Sequence, residues 1–209
     1  MNAITTHDRR LLFLGDSITD CGRREDPDGL GHGYVRLLSE HLVGEDAPSS
    51  LVNRGISGHR ARDLRARFDE DVLAEEPDLL TLYVGVNDTW RRYDQDDPTD
   101  DEEFAADVEA MLGTFRSARP DADVVIMLPF VADVDEDKAR YHEDLDGKVA
   151  QLRRLAQQHG ALVVDLERTL REALESGISP EEFALDGVHP SPFGHRLLAA
   201  AWMAAVRGQ

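Results

Sequence analysis

The sequence predicts an α/β fold in which a parallel sheet carries helices on both of its faces. Three observations lead to this class. Five short segments are continuously apolar and rich in β-branched residues, as expected of strands that are covered on both sides. Segments with helical periodicity lie between them, so that strands and helices alternate along the chain. Such alternation produces parallel strands, because each helix carries the chain back across a face of the sheet.

The predicted elements can be placed in chain order. The strands are residues 10–14, 51–53, 79–85, 123–129 and 161–165. The helices are residues 34–42, 61–74, 101–118, 145–159 and 192–206. The last helix has Pro192 in its first turn, where helices accept a proline. In open parallel sheets ligands bind beyond the carboxyl ends of the strands, so a functional site is expected at that edge.

Length and composition bound the class of protein. The 209 residues fit a single domain, 1–209, because no repeat or Pro/Gly/Ser-rich linker divides them. Residues 1–10 lack the apolar stretch of a secretory signal, and apolar runs such as residues 197–206 are too short to span a bilayer. The single cysteine, Cys21, allows no internal disulfide and is consistent with a reducing compartment. We therefore expect a cytoplasmic protein with no membrane partner.

The formal net charge of −19 argues against two classes of partner. Nucleic acid and anionic membrane surfaces would both be repelled at long range. A neutral small molecule is the partner that this charge favours, and an acidic surface also serves solubility. The sequence leaves a homo-oligomer open.

Four short motifs lie where predicted strands end or just before the last helix. Ser17 follows the first strand, Gly58 the second and Asn87 the third. Asp186 and His189 precede the final helix. At one edge of the sheet they would supply a nucleophile, a base, an orienting acid and oxyanion donors, which is the set that ester cleavage by a serine enzyme needs.

Ser17 is the predicted nucleophile, with His189 as its base and Asp186 as the acid that orients the base. Three residues of spacing allow the Asp186 carboxylate to accept from Nδ1 of the ring while Nε2 faces Ser17. Each residue alone also has a structural interpretation: Ser17 as a helix N-cap, Asp186 as a turn residue, His189 as a structural histidine. The presence of all four motifs together favours catalysis.

An oxyanion hole is predicted from the backbone N–H groups of Ser17 and Gly58 and the side-chain amide of Asn87. Gly58 has no Cβ, which lets a substrate approach its backbone, although a plain turn glycine fits the local sequence equally well. Asn87 would also suit an Asx turn after a strand.

The segments LFLGDSITDCGR, NRGISGHRARDL, YVGVNDTWRRYD and DGVHPSPFGH resemble the four sequence blocks of the SGNH hydrolases, a branch of the GDSL esterases. The resemblance extends over residues 11–202. It implies a three-layer, flavodoxin-like α/β/α sandwich with a five-stranded parallel sheet, and no metal or organic cofactor. It also implies the roles already assigned to Ser17, Gly58, Asn87, Asp186 and His189.

Longer runs within these blocks resemble the bacterial acetyl-xylooligosaccharide esterases. The runs are GDSITDCGR, LGHGYV, NRGISG, VNDTWRRYD and MLPF. This resemblance implies a serine esterase that removes acetyl groups from short, neutral sugar chains through an acyl-enzyme. Two positions depart from the pattern: Leu185 stands where an aromatic residue precedes the triad acid, and His59 where an asparagine follows Gly58. A lysophospholipase, a thioesterase or a general carboxylesterase of the same family is the alternative.

A substrate-binding surface is predicted to comprise Asp16, His59, Trp90, Arg91 and Tyr93. An aromatic face beside a guanidinium suits a pyranose ring and its hydroxyls. The same aromatic and basic residues would equally pack a sheet edge or a subunit contact.

Two other classes of function are disfavoured. A metal-dependent phosphohydrolase, suggested by Asp16 and Asp20 after the first strand, would need a basic phosphate clamp that the sequence lacks. No histidine spacing typical of a metal site is present, and we predict no metal. A binding module without catalysis is disfavoured by the complete set of triad and oxyanion residues.

Overall fold

The computed structural model describes residues 3–43 and 50–208. In this part of the chain the strands form one five-stranded sheet, composed of β1 (Arg10–Gly15), β2 (Ser50–Gly55), β3 (Leu79–Tyr83), β4 (Asp123–Leu128) and β5 (Leu162–Asp165). All neighbours are parallel and the order across the sheet is β2-β1-β3-β4-β5. The predicted parallel five-stranded sheet is confirmed.

Helices follow every strand. In chain order they are α1 (Ser17–Asp20), α2 (Tyr34–Val43), α3 (Ala61–Ala66), α4 (Phe68–Asp71), α5 (Val86–Asp94), α6 (Asp101–Ala118), α7 (Glu136–Ala139), α8 (His142–His159), α9 (Leu166–Glu175), α10 (Pro180–Phe183) and α11 (Pro192–Arg207). Helix α11 packs against α2 and α9, whereas α6 packs against α3 and α8. These two groups form the helical layers of the sandwich.

The core lies between the sheet and these layers. Residues 11–14 of β1 have no exposed surface at all, as expected of a central strand with both faces covered. Trp202 of α11 lies 5.6 Å from the ring of Phe13 and donates its indole N–H to Thr81 Oγ1 at 3.1 Å. These two contacts fix the last helix against β1 and β3.

The prediction of one continuous helix over residues 61–74 is wrong. It is divided into α3, α4 and a 3₁₀ turn at Leu73–Glu75. The backbone leaves the helical conformation at Arg67, which has φ −113° and ψ 11°. The guanidinium of Arg67 donates to the carbonyl oxygens of Arg54 (2.9 Å) and Gly15 (3.3 Å), so that the break anchors the helix on the strand ends.

Helices α5 and α9 were absent from the prediction. The strand predicted over residues 79–85 ends at Tyr83, and Gly85, with φ 128°, turns the chain into α5. Helix α9 starts directly after β5, where the Asp165 side chain accepts from Arg168 N at 3.0 Å. That N-cap is a local signal from which α9 could have been predicted.

Within the described ranges, none of the helices combines the length and the hydropathy that a bilayer crossing requires.

Candidate active site

Ser17 opens α1 at the carboxyl end of β1. The preceding residue, Asp16, is the N-cap of this helix, and its Oδ1 accepts from Ile18 N at 3.0 Å. Ser17 is therefore not the capping residue, which was its ordinary structural interpretation. Its hydroxyl makes a different hydrogen bond, with His189 Nε2 at 2.9 Å.

Asp186 and His189 form the second part of the same line of hydrogen bonds. His189 Nδ1 lies 2.7 Å from Asp186 Oδ2, and Asp186 Oδ1 accepts from the backbone N–H groups of His189 (2.7 Å) and Val188 (3.0 Å). Partial burial alone would raise the pKa of Asp186, but these hydrogen bonds from the His189 ring and the two amides hold that pKa below its ordinary value. The carboxylate thus stays ionised and accepts at Nδ1.

This geometry determines which nitrogen of the ring can act as a base. Because an ionised carboxylate only accepts, Nδ1 of His189 carries the hydrogen and Nε2 offers its lone pair to the Ser17 hydroxyl. The Asp186 and His189 side chains are each 45% exposed, so an ester can reach the Ser17 hydroxyl from solvent. The arrangement can remove a proton from Ser17 as Oγ attacks.

Gly58 and Asn87 lie beside Ser17 at the same sheet edge. Gly58 has φ +82°, and a Cβ added to it would meet no heavy atom within 4 Å, so the space above it is open. In the described part of the chain no residue accepts from the backbone N–H of Ser17 or Gly58. Asn87 is 3% exposed, and its Nδ2 donates to Asp16 Oδ2 and to His59 O, each at 3.2 Å. Both bonds are long, so an oxyanion can compete for one of these hydrogens.

The structure places Asp16 and His59 differently from the expected substrate surface. Asp16 is 1% exposed and lies under the site, with its oxygens taken up by Ile18 N and Asn87. Burial raises the pKa of Asp16 to about 6, although these hydrogen bonds and nearby His189 favour its charge. The His59 ring accepts from Arg67 Nε at 3.2 Å. His59 contacts the site through its backbone oxygen, which accepts from Asn87.

Trp90 lies beside the base of the triad. Its ring centroid lies 5.8 Å from that of His189. Arg91 lies 5.9 Å from the Trp90 ring and is ion-paired with Asp94. Tyr93 stacks on Tyr141 at 4.8 Å and donates its hydroxyl to Arg140 O at 2.8 Å, so it packs between elements and makes no contact with Ser17 or His189.

Lys138, which the sequence does not mark as a site residue, also lies at this edge. Its Nζ lies 4.2 Å from the Trp90 ring centroid, and donates to Tyr141 Oη at 3.2 Å. Among the described residues, Lys148 forms ion pairs with Asp101 and Asp144, whereas the Lys138 ammonium faces the Trp90 and Tyr141 rings. The chain has two lysines among its 23 Lys and Arg residues, and nothing in their sequence context distinguishes Lys138 as a site residue.

Comparison with known proteins decides the family. Residues 13–197 match the GDSL-like lipase/acylhydrolase family. The chain belongs to this family. Membership makes it a carboxylic ester hydrolase, as the sequence predicted.

Relatives within this family cover almost the whole chain. An acetylxylan esterase from Geobacillus stearothermophilus is 37% identical over 207 residues, which are 94% of this chain and 93% of that protein. A solved catalytic mutant of an acetylxylan esterase from that organism superposes with a TM-score of 0.87 at 31% identity, covering 97% of this chain and 95% of the other. An α/β hydrolase enzyme from the metagenome of Lake Arreo, Spain, gives a TM-score of 0.86 at 30% identity, covering 97% and 96%. The resemblance inferred from the four sequence blocks is confirmed.

Proposed function

We propose that this chain is a serine esterase in which Ser17 is the nucleophile, His189 the base and Asp186 the orienting acid. The observation that carries the proposal is the unbroken line of hydrogen bonds, 2.9 Å from Ser17 Oγ to His189 Nε2 and 2.7 Å from His189 Nδ1 to Asp186. A hydroxyl in this arrangement is activated because the base that takes its proton is held in the correct tautomer.

The reaction would proceed in two halves. Ser17 Oγ attacks the acetyl carbonyl carbon while its proton moves to His189 Nε2. The tetrahedral intermediate then collapses, the ester C–O bond breaks, and His189 gives the proton to the departing oxygen. Water repeats these steps on the acetyl-enzyme and releases acetate, which restores Ser17.

Three donors would stabilise the oxyanion of each intermediate. They are the backbone N–H groups of Ser17 and Gly58 and the amide of Asn87. Neither backbone N–H has an acceptor in the described part of the chain, and the two Asn87 bonds are long at 3.2 Å. Preorganised donors of this kind are each worth about 10²- to 10³-fold in rate.

Solved relatives support the same three residue types. Among the catalytic mutants of the G. stearothermophilus enzyme, one replaces a serine, one an aspartate and one a histidine. Its aspartate and histidine are three positions apart, as are Asp186 and His189 here.

The substrate that we propose is a short oligosaccharide carrying acetyl esters, such as an acetylated xylooligosaccharide. A relative named as an acetylxylan esterase, at 37% identity over nearly the whole chain, supports this substrate class. The exposed edge at His189 also carries groups that suit a sugar, namely the Trp90 ring and the Lys138 ammonium.

We also propose that the enzyme acts in the cytoplasm. Cys21 is the only cysteine of the chain and is free. Free cysteines are typical of reducing compartments. Cell fractionation with an antibody to the protein would test this location.

The test of the function is acetate release from acetylated xylooligosaccharides, with p-nitrophenyl acetate and p-nitrophenyl octanoate in parallel. Wild-type protein should release acetate from the sugars and cleave octanoate poorly. Ser17→Ala should lower kcat by more than about 10³-fold, because the nucleophile is lost. Ser179→Ala is the control, because Ser179 is the N-cap serine just before α10 and takes no part in the proposed triad; it should keep wild-type activity.

Other outcomes of this assay would assign a different substrate or reject the mechanism. Strong octanoate cleavage with inert sugars would indicate a lysophospholipase, thioesterase or general carboxylesterase with the same mechanism. Full activity in Ser17→Ala would reject the serine mechanism itself.

A further inference from the structure

The loop that carries Gly58 is held by a carboxylate from α1. Asp20 Oδ2 accepts from both the backbone N–H and the hydroxyl of Ser57, at 3.0 and 2.9 Å. Ser57 immediately precedes Gly58, and Asp20 lies three residues after Ser17. A single side chain thus joins the helix of the proposed nucleophile to the neighbour of an oxyanion donor.

The loop gains little support from packing. Ser57 and Gly58 are both exposed, whereas Asp20 is only 8% exposed. Helix α1 approaches the end of β2 very closely: a Cβ on Gly55 would lie 2.1 Å from Asp20 N. This close packing makes the position of Asp20 rigid. Hydrogen bonds from a fixed helix, not buried apolar surface, therefore determine where the Gly58 N–H points.

Further bonds close a ring around the proposed oxyanion hole. His59, on the other side of Gly58, accepts at its backbone oxygen from Asn87, which also donates to the carboxylate beside Ser17. The ring contains, in order, Ser17, Asp20, Ser57, Gly58, His59, Asn87 and Asp16. All three donors belong to this one ring, so a shift of Gly58 is resisted from both sides.

We propose that Asp20 is a positioning residue that sets the distance between the Ser17 and Gly58 N–H donors, through its two hydrogen bonds to Ser57. The inference rests on the proposed serine esterase mechanism, because it assigns Asp20 to the oxyanion hole of that mechanism. Asp20 does not touch the substrate. Its effect is on kcat, since a donor displaced by about 1 Å costs on the order of 10²-fold in rate while substrate binding is little changed.

The test is a graded series of variants assayed for kcat and KM on p-nitrophenyl acetate. Ser57→Ala removes one of the two bonds to Asp20 and should lower kcat less than about threefold. Asp20→Asn keeps one neutral acceptor and should give an intermediate loss. Asp20→Ala removes both bonds and should lower kcat by about 10- to 100-fold with KM within about twofold of wild type.

Two controls separate positioning from general destabilisation. Asp100→Ala removes a carboxylate that caps α6, where its Oδ1 accepts from Glu103 N at 2.7 Å, and it should lower the melting temperature without changing kcat. In an Asn87→Ala background, Asp20→Ala should cost less than it does in wild type, because the oxyanion hole is already incomplete and the two effects are not additive.

The variants distinguish failure of the serine mechanism from failure of the positioning role of Asp20. If Ser17→Ala remains active, the serine mechanism fails and the Asp20 inference fails with it. If Ser17 is essential but Asp20→Asn and Asp20→Ala keep kcat within twofold of wild type, only the Asp20 inference is wrong. Asp20→Ala should not lower kcat by the same factor in wild type and in the Asn87→Ala background. Equal factors would mean that the two effects are additive, and would also overturn the Asp20 inference.

Discussion

At the scale of single residues, the backbone of Gly187 determines where Asp186 and His189 point. Its φ of +81° lies in the left-handed region, and a Cβ there would be 2.7 Å from Ala132 O and 3.0 Å from Lys138 Cγ. Gly187 O also accepts from Ala132 N at 2.7 Å. The triad acid and base are therefore held in a loop that closes against its neighbour only because residue 187 has no side chain.

Gly187→Ala should for this reason impair catalysis more than folding. We expect kcat to fall by at least about 10-fold, because the loop must move and a misplacement of about 1 Å costs up to 10²-fold. Steady-state kinetics and thermal unfolding would measure the two effects. Gly160→Ala is the control: Gly160 also has positive φ, at +62°, but an added Cβ meets nothing within 4 Å. Equal kcat values in the two variants would contradict the role of Gly187.

At the scale of elements, α5 connects the site to both neighbouring helices through consecutive buried polar residues. Asn87 faces Asp16, Asp88 accepts from Ala61 N at the start of α3 at 3.2 Å, and Thr89 donates to Asp144 of α8 at 2.7 Å. Asp88 has no exposed surface. The helix is fixed by these bonds, and the amide of Asn87 is fixed with it.

The carboxyl of Asp88 makes stability depend on pH. Burial raises the pKa of Asp88 to about 7 from 3.8, although Ala61 N and the charges of Lys148 and Arg60 oppose this. The folded protein therefore binds this proton more tightly than the unfolded chain does. The stability that protonated Asp88 contributes is complete below about pH 4 and is lost as the pH rises through about 7.

Asp88→Asn should remove this dependence, because an amide keeps an oxygen for Ala61 N and does not ionise. We compare the free energy of unfolding of the variant minus that of wild type at two pH values. This difference should be larger at pH 8 than at pH 4 by on the order of 3 to 4 kcal/mol. Urea unfolding at both pH values measures this difference. A difference that is the same at pH 4 and pH 8 would show that Asp88 does not titrate in this range.

The same elements show what the sequence could predict. The strands were found because buried strands are apolar without interruption, as in residues 11–14. Helix α5 was missed because its first turn, Asn87, Asp88 and Thr89, is buried yet polar, so it has no apolar periodicity. Its stability comes from partners on α3 and α8, which only the folded chain brings close.

At the scale of the whole molecule, the sheet order brings distant segments together. Ser17 and His189 are 172 residues apart in sequence and share a hydrogen bond. The sequence predicted their meeting because both lie at the carboxyl edge of a parallel sheet. It did not predict that Lys138 lies beside Trp90, because that position depends on side-chain packing between elements.

If Ser17 is the nucleophile, an acetyl-enzyme forms on its hydroxyl during turnover, and this intermediate can be trapped. Wild-type protein is mixed with p-nitrophenyl acetate, quenched in acid within milliseconds and digested. One peptide should then be heavier by one acetyl group than the same peptide from untreated protein. Peptide mass spectrometry should locate this acetyl group on Ser17 and find none in Ser17→Ala. An acetyl group on another residue, or turnover with no acetylated serine at any quench time, would contradict the role of Ser17 as nucleophile.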